Sequence, residues 1–233
     1  MSDQSPAKTT NHAVRYTALI GTLVGALLAR PIIRPWLDKH PSAFSFATGW
    51  PMLASFVPWI AFTIYWEIAA KDSAPVLKAE SHFSRGIHVV LANAALLFIF
   101  FPIRGLNQHF LPDLLVLKLG GIALELAGIA LAIWARRILG RNWSGEITIK
   151  EDHQLVRSGP YGTVRHPIYT ALLTMYLGTA IVSGQMHALV GLAIGILAYL
   201  RKARMEEANL ANAFGEKYTA YREDTWALIP RVY

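Results

Sequence analysis

Long apolar runs alternate along this chain with short polar connections. A helix that spans a bilayer needs about 20 mostly apolar residues. Candidate runs lie at residues 16–33, 46–70, 86–103, 115–135, 168–183 and 187–200. The last two are short, and only Gly184-Gln185-Met186 separates them. They predict a tight helical hairpin or a partly re-entrant pair. The pattern gives six spans, or five if the pair is tilted or the first helix lies at the interface. The fold class is all-α: a multi-pass transmembrane bundle with a cytosolic C-terminal region. Residues 1–15 are polar and predict a disordered tail, leaving residues 16–233 as a single membrane domain. No clear small-residue cleavage site follows the first run, so it reads as a retained helix rather than a signal peptide. Gly21 with Gly25, and Gly191 with Gly195, have the spacing that lets helix backbones approach closely.

Composition supports the same picture. The chain is 54% hydrophobic and 16% charged, with mean hydropathy +0.34. A soluble domain carries about 25% charge. The net charge is +7, but the cations sit between apolar runs, which fits a membrane surface better than nucleic acid. Sorted by predicted side, 17 of the 22 Lys and Arg residues fall in the N-terminus, the 71–85 loop, the 136–167 loop and the C-terminal tail; Arg30, Arg34, Lys39, Arg104 and Lys118 fall opposite. This bias predicts both termini in the cytoplasm. The chain has no cysteine, which excludes disulfides, thiolate metal sites and a cysteine nucleophile. Neither a G-x-G-x-x-G after a strand nor a P-loop occurs, and no H-E-x-x-H appears. His153 and His166 without further ligands do not make a metal site, so no metal is expected.

Two polar clusters flank the short hairpin. The first, Arg165-His166-Pro167-Ile168-Tyr169, ends the longest interior loop. Proline suits the first turn of a helix, so Arg165 and His166 fall at a helix N-terminus, which attracts anions. Alternatively, Arg165 meets lipid phosphate, and Tyr161 and Tyr169 are interfacial anchors. The second cluster is Arg201-Lys202-Ala203-Arg204-Met205-Glu206-Glu207. Its adjacent acids are either simply solvated or half of a site that the hairpin completes. The amphipathic stretch Leu210-Ala211-Asn212-Ala213-Phe214 predicts a fold back along the membrane surface, lidding that site. Glu125 lies mid-span. It faces a cavity with a functional role, or it makes an interhelical hydrogen bond. Glu67 lies nearer a helix end and reads as interfacial.

At His153-Gln154-Leu155-Val156, Ser158-Gly159-Pro160-Tyr161, Arg165-His166-Pro167-Ile168-Tyr169 and Glu206-Glu207, with Phe214-Gly215-Glu216-Lys217-Tyr218 and Tyr221 following, the chain resembles the isoprenylcysteine carboxyl methyltransferase family and its bacterial relatives. The resemblance covers about residues 135–230. It implies S-adenosylmethionine held by His153, Gln154, Leu155, Val156, Tyr161, His166, Pro167, Ile168, Tyr169 and a glutamate of the Glu206–Glu207 pair, with Glu206 aligning best. Lys202 and Arg204 are implied on the acceptor side. Glu146 stands where the family has glutamine, and Lys202 where it has arginine.

The residue types suit that chemistry. A glutamate pairs the cofactor's ammonium, His166 and helix N–H groups take its carboxylate, and Tyr161 or Tyr169 meets adenine or the sulfonium. Methyl transfer needs alignment and exclusion of water rather than a covalent intermediate. The implied partners are membrane lipids and a lipophilic or prenylated acceptor, with no nucleic acid and with the active site facing the cytoplasm. One rival reading is an NADPH-dependent sterol-type reductase, whose C-terminal helices and ending are similar to residues 221–233. The other is a non-enzymatic membrane scaffold.

Overall fold

The computed structural model describes residues 50–70, 76–79, 81–143, 148–150 and 155–232. The expected tail, the first apolar run, Glu146, His153 and Gln154 lie outside the described residues. The other five runs each form a helix. These are α1 (Trp50–Ala69), α2 (His82–Phe100), α3 (Leu115–Leu139), α4 (Pro167–Ser183) and α5 (Met186–Phe214). A short α6 (Glu216–Asp224) follows. Among the described residues four helices, α1, α2, α3 and α5, are long and apolar enough to cross a membrane, while α4 is a shorter apolar helix of 17 residues. Leu53, Val57, Ile60 and Ile64 stand exposed along α1. A lipid environment accounts for such a surface.

Two details differ from the sequence reading. The fold is not wholly helical: β1 (Val76–Ala79) and β2 (Thr148–Lys150) form a two-stranded antiparallel ribbon. Both strands belong to loops at the same end of the bundle, and pairing them satisfies backbone groups that would otherwise need other partners. The second difference is at the end of α5. Leu210 to Phe214 does not fold back; it continues α5 unbroken. Reversal comes one residue later, at Gly215, whose φ of +54° is open to glycine at little cost. α6 then returns toward the site.

The hairpin forms as expected, with Gly184 in the left-handed conformation between α4 and α5. Close helix contact comes from glycines at two crossings. A Cβ on Gly121 of α3 would stand 2.6 Å from the Gly178 carbonyl oxygen of α4, and one on Gly191 of α5 would stand 2.7 Å from the Ala95 carbonyl oxygen of α2. The Gly191 spacing was legible in the sequence; the Gly121–Gly178 pair was not, because its members lie on different helices.

Two buried polar side chains tie the bundle together. Glu125 is fully buried on α3. Ser55 of α1 and Thr179 of α4 both donate to its Oε1, Thr179 from 2.8 Å, and Trp59 donates to Thr179 from 2.9 Å. This three-helix node matches the interhelical hydrogen-bond reading of Glu125, and it leaves the other carboxylate oxygen, Oε2, buried without a partner. At the opposite end of α3, Arg136 donates to the Gly140 and Ala69 carbonyls and lies 4.7 Å from the Trp143 ring centroid. It thereby closes the C-termini of α1 and α3.

Candidate active site

The topology gathers the functional candidates at one end of the bundle. This end holds the first turns of α2 and α4, the last turn of α3, and the part of α5 beyond its apolar stretch, which ends at Leu200. The loop of residues 101–114 and the Gly184 turn lie at the other end, where the amides of Phe110 and Met186 bond across them.

Pro167 starts α4 and His166 caps it. The amides of Arg165 and His166 donate to the carbonyls of Trp226 and Ala227, at 2.8 and 3.1 Å. Thr170 donates to the Leu228 carbonyl at 2.7 Å. The segment after α6 is therefore stitched along the entrance to α4. This fixes the backbone of the first cluster before any side chain is considered.

His166 is 5% exposed and sits between the two acids of the second cluster. Its Nε2 lies 3.3 Å from Glu207 Oε1, and its Nδ1 lies 3.6 Å from Glu206 Oε2. Arg165 Nε donates to Glu207 Oε1 at 2.7 Å, and its Nη1 donates to the Thr225 carbonyl. Arg222 Nε lies 3.9 Å from the other Glu207 oxygen. Tyr169 donates its hydroxyl proton to Glu206 at 2.7 Å. Its ring stacks on His166, with centroids 5.2 Å apart and planes 8° from parallel.

The electrostatics follow from these partners. Burial alone would lower the His166 pKa, but hydrogen bonds and charge from Glu206 and Glu207 outweigh it and raise the value. Burial alone would raise Glu207; hydrogen bonds from His166 and Arg165 dominate and hold it at about 2. Glu206 is lowered as well: burial opposes, and His166, Tyr169 and Lys202 prevail. The two acids are not equivalent. The Glu207 side chain is 13% exposed and satisfied by Arg165 and His166, whereas the Glu206 side chain is 34% exposed with a closer bond only from Tyr169. Glu206 is the carboxylate that remains open to a ligand.

Of the remaining candidates, Tyr161, Pro167 and Ile168 are buried, and Leu155 and Val156 are half-buried. The Tyr161 carbonyl accepts from Tyr221 at 2.7 Å. Lys202 Nζ lies 5.7 Å from the Tyr169 ring centroid, while Arg204 is exposed. Arg201 turns away from the acids: its guanidinium donates to the Ser84 hydroxyl at 3.0 Å, binding α5 to α2. Arg165 also lines an open groove of about 700 Å³ together with Arg222 and Trp226.

Two expected roles change. His166 presents both ring nitrogens to the glutamates, so it orients those acids instead of offering a free N–H to a ligand carboxylate. Arg165 is committed to Glu207 and the Thr225 carbonyl and does not stand free for lipid phosphate. Sequence reasoning missed Tyr199, whose ring lies 5.4 Å from Tyr169. The signal was its spacing, three and seven residues before Lys202 and Glu206 on one helix face.

Fold and site together define a class, a helical membrane protein with an acid–histidine–tyrosine centre at one end of its bundle. The comparisons then give a family likeness. The model of the Isoprenylcysteine carboxyl methyltransferase (ICMT) family matches residues 121–212, bearing out the resemblance over the segment from α3 to α5. The Cobalt-zinc-cadmium resistance protein CzcN of Cupriavidus metallidurans is 33% identical over 113 residues, 48% of this chain and 50% of that protein. Protein-S-isoprenylcysteine O-methyltransferase B of Arabidopsis thaliana is 25% identical over 167 residues, 70% of this chain and 81% of its own length. Protein-S-isoprenylcysteine O-methyltransferase of Schizosaccharomyces pombe is 30% identical over 96 residues, 40% of this chain and 41% of its own. The chain thus spans half or less of two of these three relatives. The solved structure of the eukaryotic intramembrane Ras methyltransferase ICMT aligns over 94% of this chain and 97% of its own, at 14% identity and a TM-score of 0.44.

Proposed function

We propose that this chain is an integral membrane methyltransferase that uses S-adenosylmethionine and acts on a lipophilic acceptor. The names of two relatives supply the type reaction, O-methylation of a protein S-isoprenylcysteine. The observation that carries the reading is Glu206. It is an ionised carboxylate held by Tyr169, flanked by Lys202 and left partly open within the segment the family model covers.

The residues fit the cofactor's chemistry. S-adenosylmethionine supplies an electrophilic methyl group on a sulfonium and carries an ammonium and a carboxylate. Glu206 would hold the ammonium. Tyr169 and Tyr199 form an aromatic surface that favours a cation. His166 and Glu207 keep Glu206 and Tyr169 in position, and Arg165 fastens Glu207 to the Thr225 carbonyl. Leu155, Val156, Tyr161 and Ile168 would close the apolar side and exclude water. Lys202, with Arg204 at the surface, would meet an acidic acceptor head group where α5 leaves its apolar stretch. The same features disfavour the reductase reading. NADPH is polyanionic, and the ionised, partly open Glu206 would repel its phosphates, while the nearest guanidinium, Arg165, is taken by Glu207.

Binding to the detergent-purified protein tests the proposal. S-adenosylmethionine should bind and NADPH should not. Glu206→Ala should weaken binding roughly tenfold or more, the loss of a charge-assisted bond of about 1.5–3 kcal/mol, while Glu216→Ala on the exposed face of α6 should not. Saturable binding of NADPH alone would support the reductase, and binding of neither would leave a scaffold. We place the site on the cytoplasmic side because 17 of 22 basic residues fall in the loops and tails that the hydropathy pattern assigns to that side. Reporters fused at the C-terminus and in the 104–114 loop should report opposite sides, and a C-terminal reporter active only outside the cytoplasm would reverse the assignment.

A further inference from the structure

After α6 the chain runs as a strap along the entrance to α4, and the strap descends toward the bilayer. The carbonyls of Trp226, Ala227 and Leu228 accept in turn from the Arg165 amide, the His166 amide and the Thr170 hydroxyl. Thr170 lies inside α4, next to Tyr169, whose ring is 5.4 Å from that of Tyr199. Tyr199 immediately precedes Leu200, where the apolar stretch of α5 ends. Leu228 therefore stands at the level where the apolar layer gives way to head groups.

The strap turns its two sides to different surroundings. Ala227 and Leu228 are buried, while Trp226, Ile229 and Val232 are 44%, 49% and 74% exposed. A turn brings Ile229 and Val232 together: the Val232 amide donates to the Ile229 carbonyl at 3.1 Å. Pro230 takes the second position and Arg231 the third, with φ +66°. This is the arrangement of a type II turn, whose third position favours glycine. An arginine there is uncommon, and it sets a cation between two exposed aliphatic side chains. The acids Glu223 and Asp224 end α6, ahead of the descent, and Asp224 is paired with Arg157 at 2.6 Å.

The strap also meets the outward stripe of α4. Thr170, Leu173, Thr174 and Leu177 recur at helical spacing and none is buried, whereas Ala171, Leu172, Met175 and Tyr176 are. Both threonine hydroxyls are bonded, to the Leu228 and Thr170 carbonyls, so the stripe offers methyls and leucines to lipid. Ile229 follows the carbonyl that Thr170 holds and extends this surface upward. An indole, two branched aliphatics and an arginine at such a boundary make an interfacial anchor.

We propose that residues 226–232 anchor the protein in the head-group region of an anionic leaflet, with Ile229 and Val232 among the upper acyl chains and Arg231 on lipid phosphate. The same strap fixes the site. Arg165 Nη1 donates to the Thr225 carbonyl, and Arg165 holds Glu207. Lipid that seats the turn therefore tightens the entrance to α4, and anionic lipid raises the affinity of the cofactor site. That second part rests on the methyl-transfer reading above.

The test uses the full chain in lipid nanodiscs. The chain has no cysteine, so Ile229→Cys, Val232→Cys and, as a water-side reference, Glu223→Cys each take a single spin label. Collision with oxygen, which concentrates in lipid, is compared with collision with a water-soluble nickel chelate. Oxygen should dominate at the first two positions and nickel at the third. Nickel dominating at the first two, or shielding from both reagents by a second copy, overturns the anchor. S-adenosylmethionine affinity is then compared between discs of phosphatidylcholine and discs that include phosphatidylglycerol. It should be roughly fivefold tighter in the anionic discs. Arg231→Gly, which removes the cation and suits the positive φ, should cancel the difference, and Arg231→Lys should keep it. Equal wild-type affinities, or a difference that survives Arg231→Gly, overturn the action of lipid on the site. Absence of cofactor binding in both discs instead removes the methyl-transfer reading, and the label depths still decide the anchor.

Discussion

This protein holds fully and partly buried carboxylates in two ways. In the middle of the bundle, Glu125 receives hydroxyl protons from Ser55 and Thr179, with Trp59 behind Thr179. At the end of the bundle, Glu206 and Glu207 are surrounded by His166, Arg165, Tyr169 and Lys202. The first set of donors is neutral and joins three helices. The second is mostly cationic, reaches solvent at one carboxylate and lies beside an aromatic wall. An acid with neutral donors in an apolar layer is a fastener. An acid with surplus positive partners stays ionised and can exchange one of them for a ligand's cation.

Three measurements break or sharpen that contrast. The largest effect is expected at the charged end. Arg165→Ala strands Glu207, whose side chain is 13% exposed, without its nearest partner, and removing one member of a buried pair costs about 3–5 kcal/mol. Denaturation of the purified protein should show that loss. A change below about 1 kcal/mol would mean that solvent already screens the pair.

Next comes the dependence on pH. His166 binds its proton more tightly folded than unfolded. Its contribution is therefore complete below the ordinary 6.5 and is lost as pH rises through the raised value. Glu207 runs the other way: its contribution is complete above 4.5 and is lost as pH falls through about 2. The Tm should form a plateau between these limits and decline on both sides. His166→Gln should flatten the alkaline decline, and an unaltered decline in that variant would detach it from His166.

The smallest effect is expected at the neutral node. Thr179→Val removes a donor to Glu125 and the acceptor for Trp59. Hydrogen bonds between helices in membranes average about 0.6 kcal/mol and reach about 1.7, so destabilisation should fall in that range. A cost equal to that of Arg165→Ala would erase the distinction between the two regions.

Much of the bundle was legible in the sequence because hydrocarbon leaves few options. An apolar run bounded by polar residues must be a helix there, since every backbone group has to be satisfied within it. That rule located α1 to α5 to within a few residues at most ends. It failed at the far end of α5, where the helix leaves the apolar layer at Leu200 and runs on to Phe214. Beyond the bilayer, helix propensity and α6 packing decide the boundary, and hydropathy says nothing. The β1–β2 ribbon escaped for a related reason: its paired residues are 69 or more positions apart, and neither strand is apolar enough to mark itself.

The site divides along the same line. Sequence alone placed Arg165, His166, Tyr169, Glu206 and Glu207 at the two sides of one hairpin, because a short turn between two spans returns the chain to the same membrane face. It also set the charge balance and the absence of thiol chemistry, which depend only on composition. Tertiary structure decided which acid is open, that His166 orients the pair, that Arg165 is spent on Glu207, and that Tyr199 stands beside Tyr169. Those facts depend on distances between side chains on different helices. Whether a carboxylate is satisfied or open depends on which side chains of other helices reach it, and no spacing along the chain encodes that.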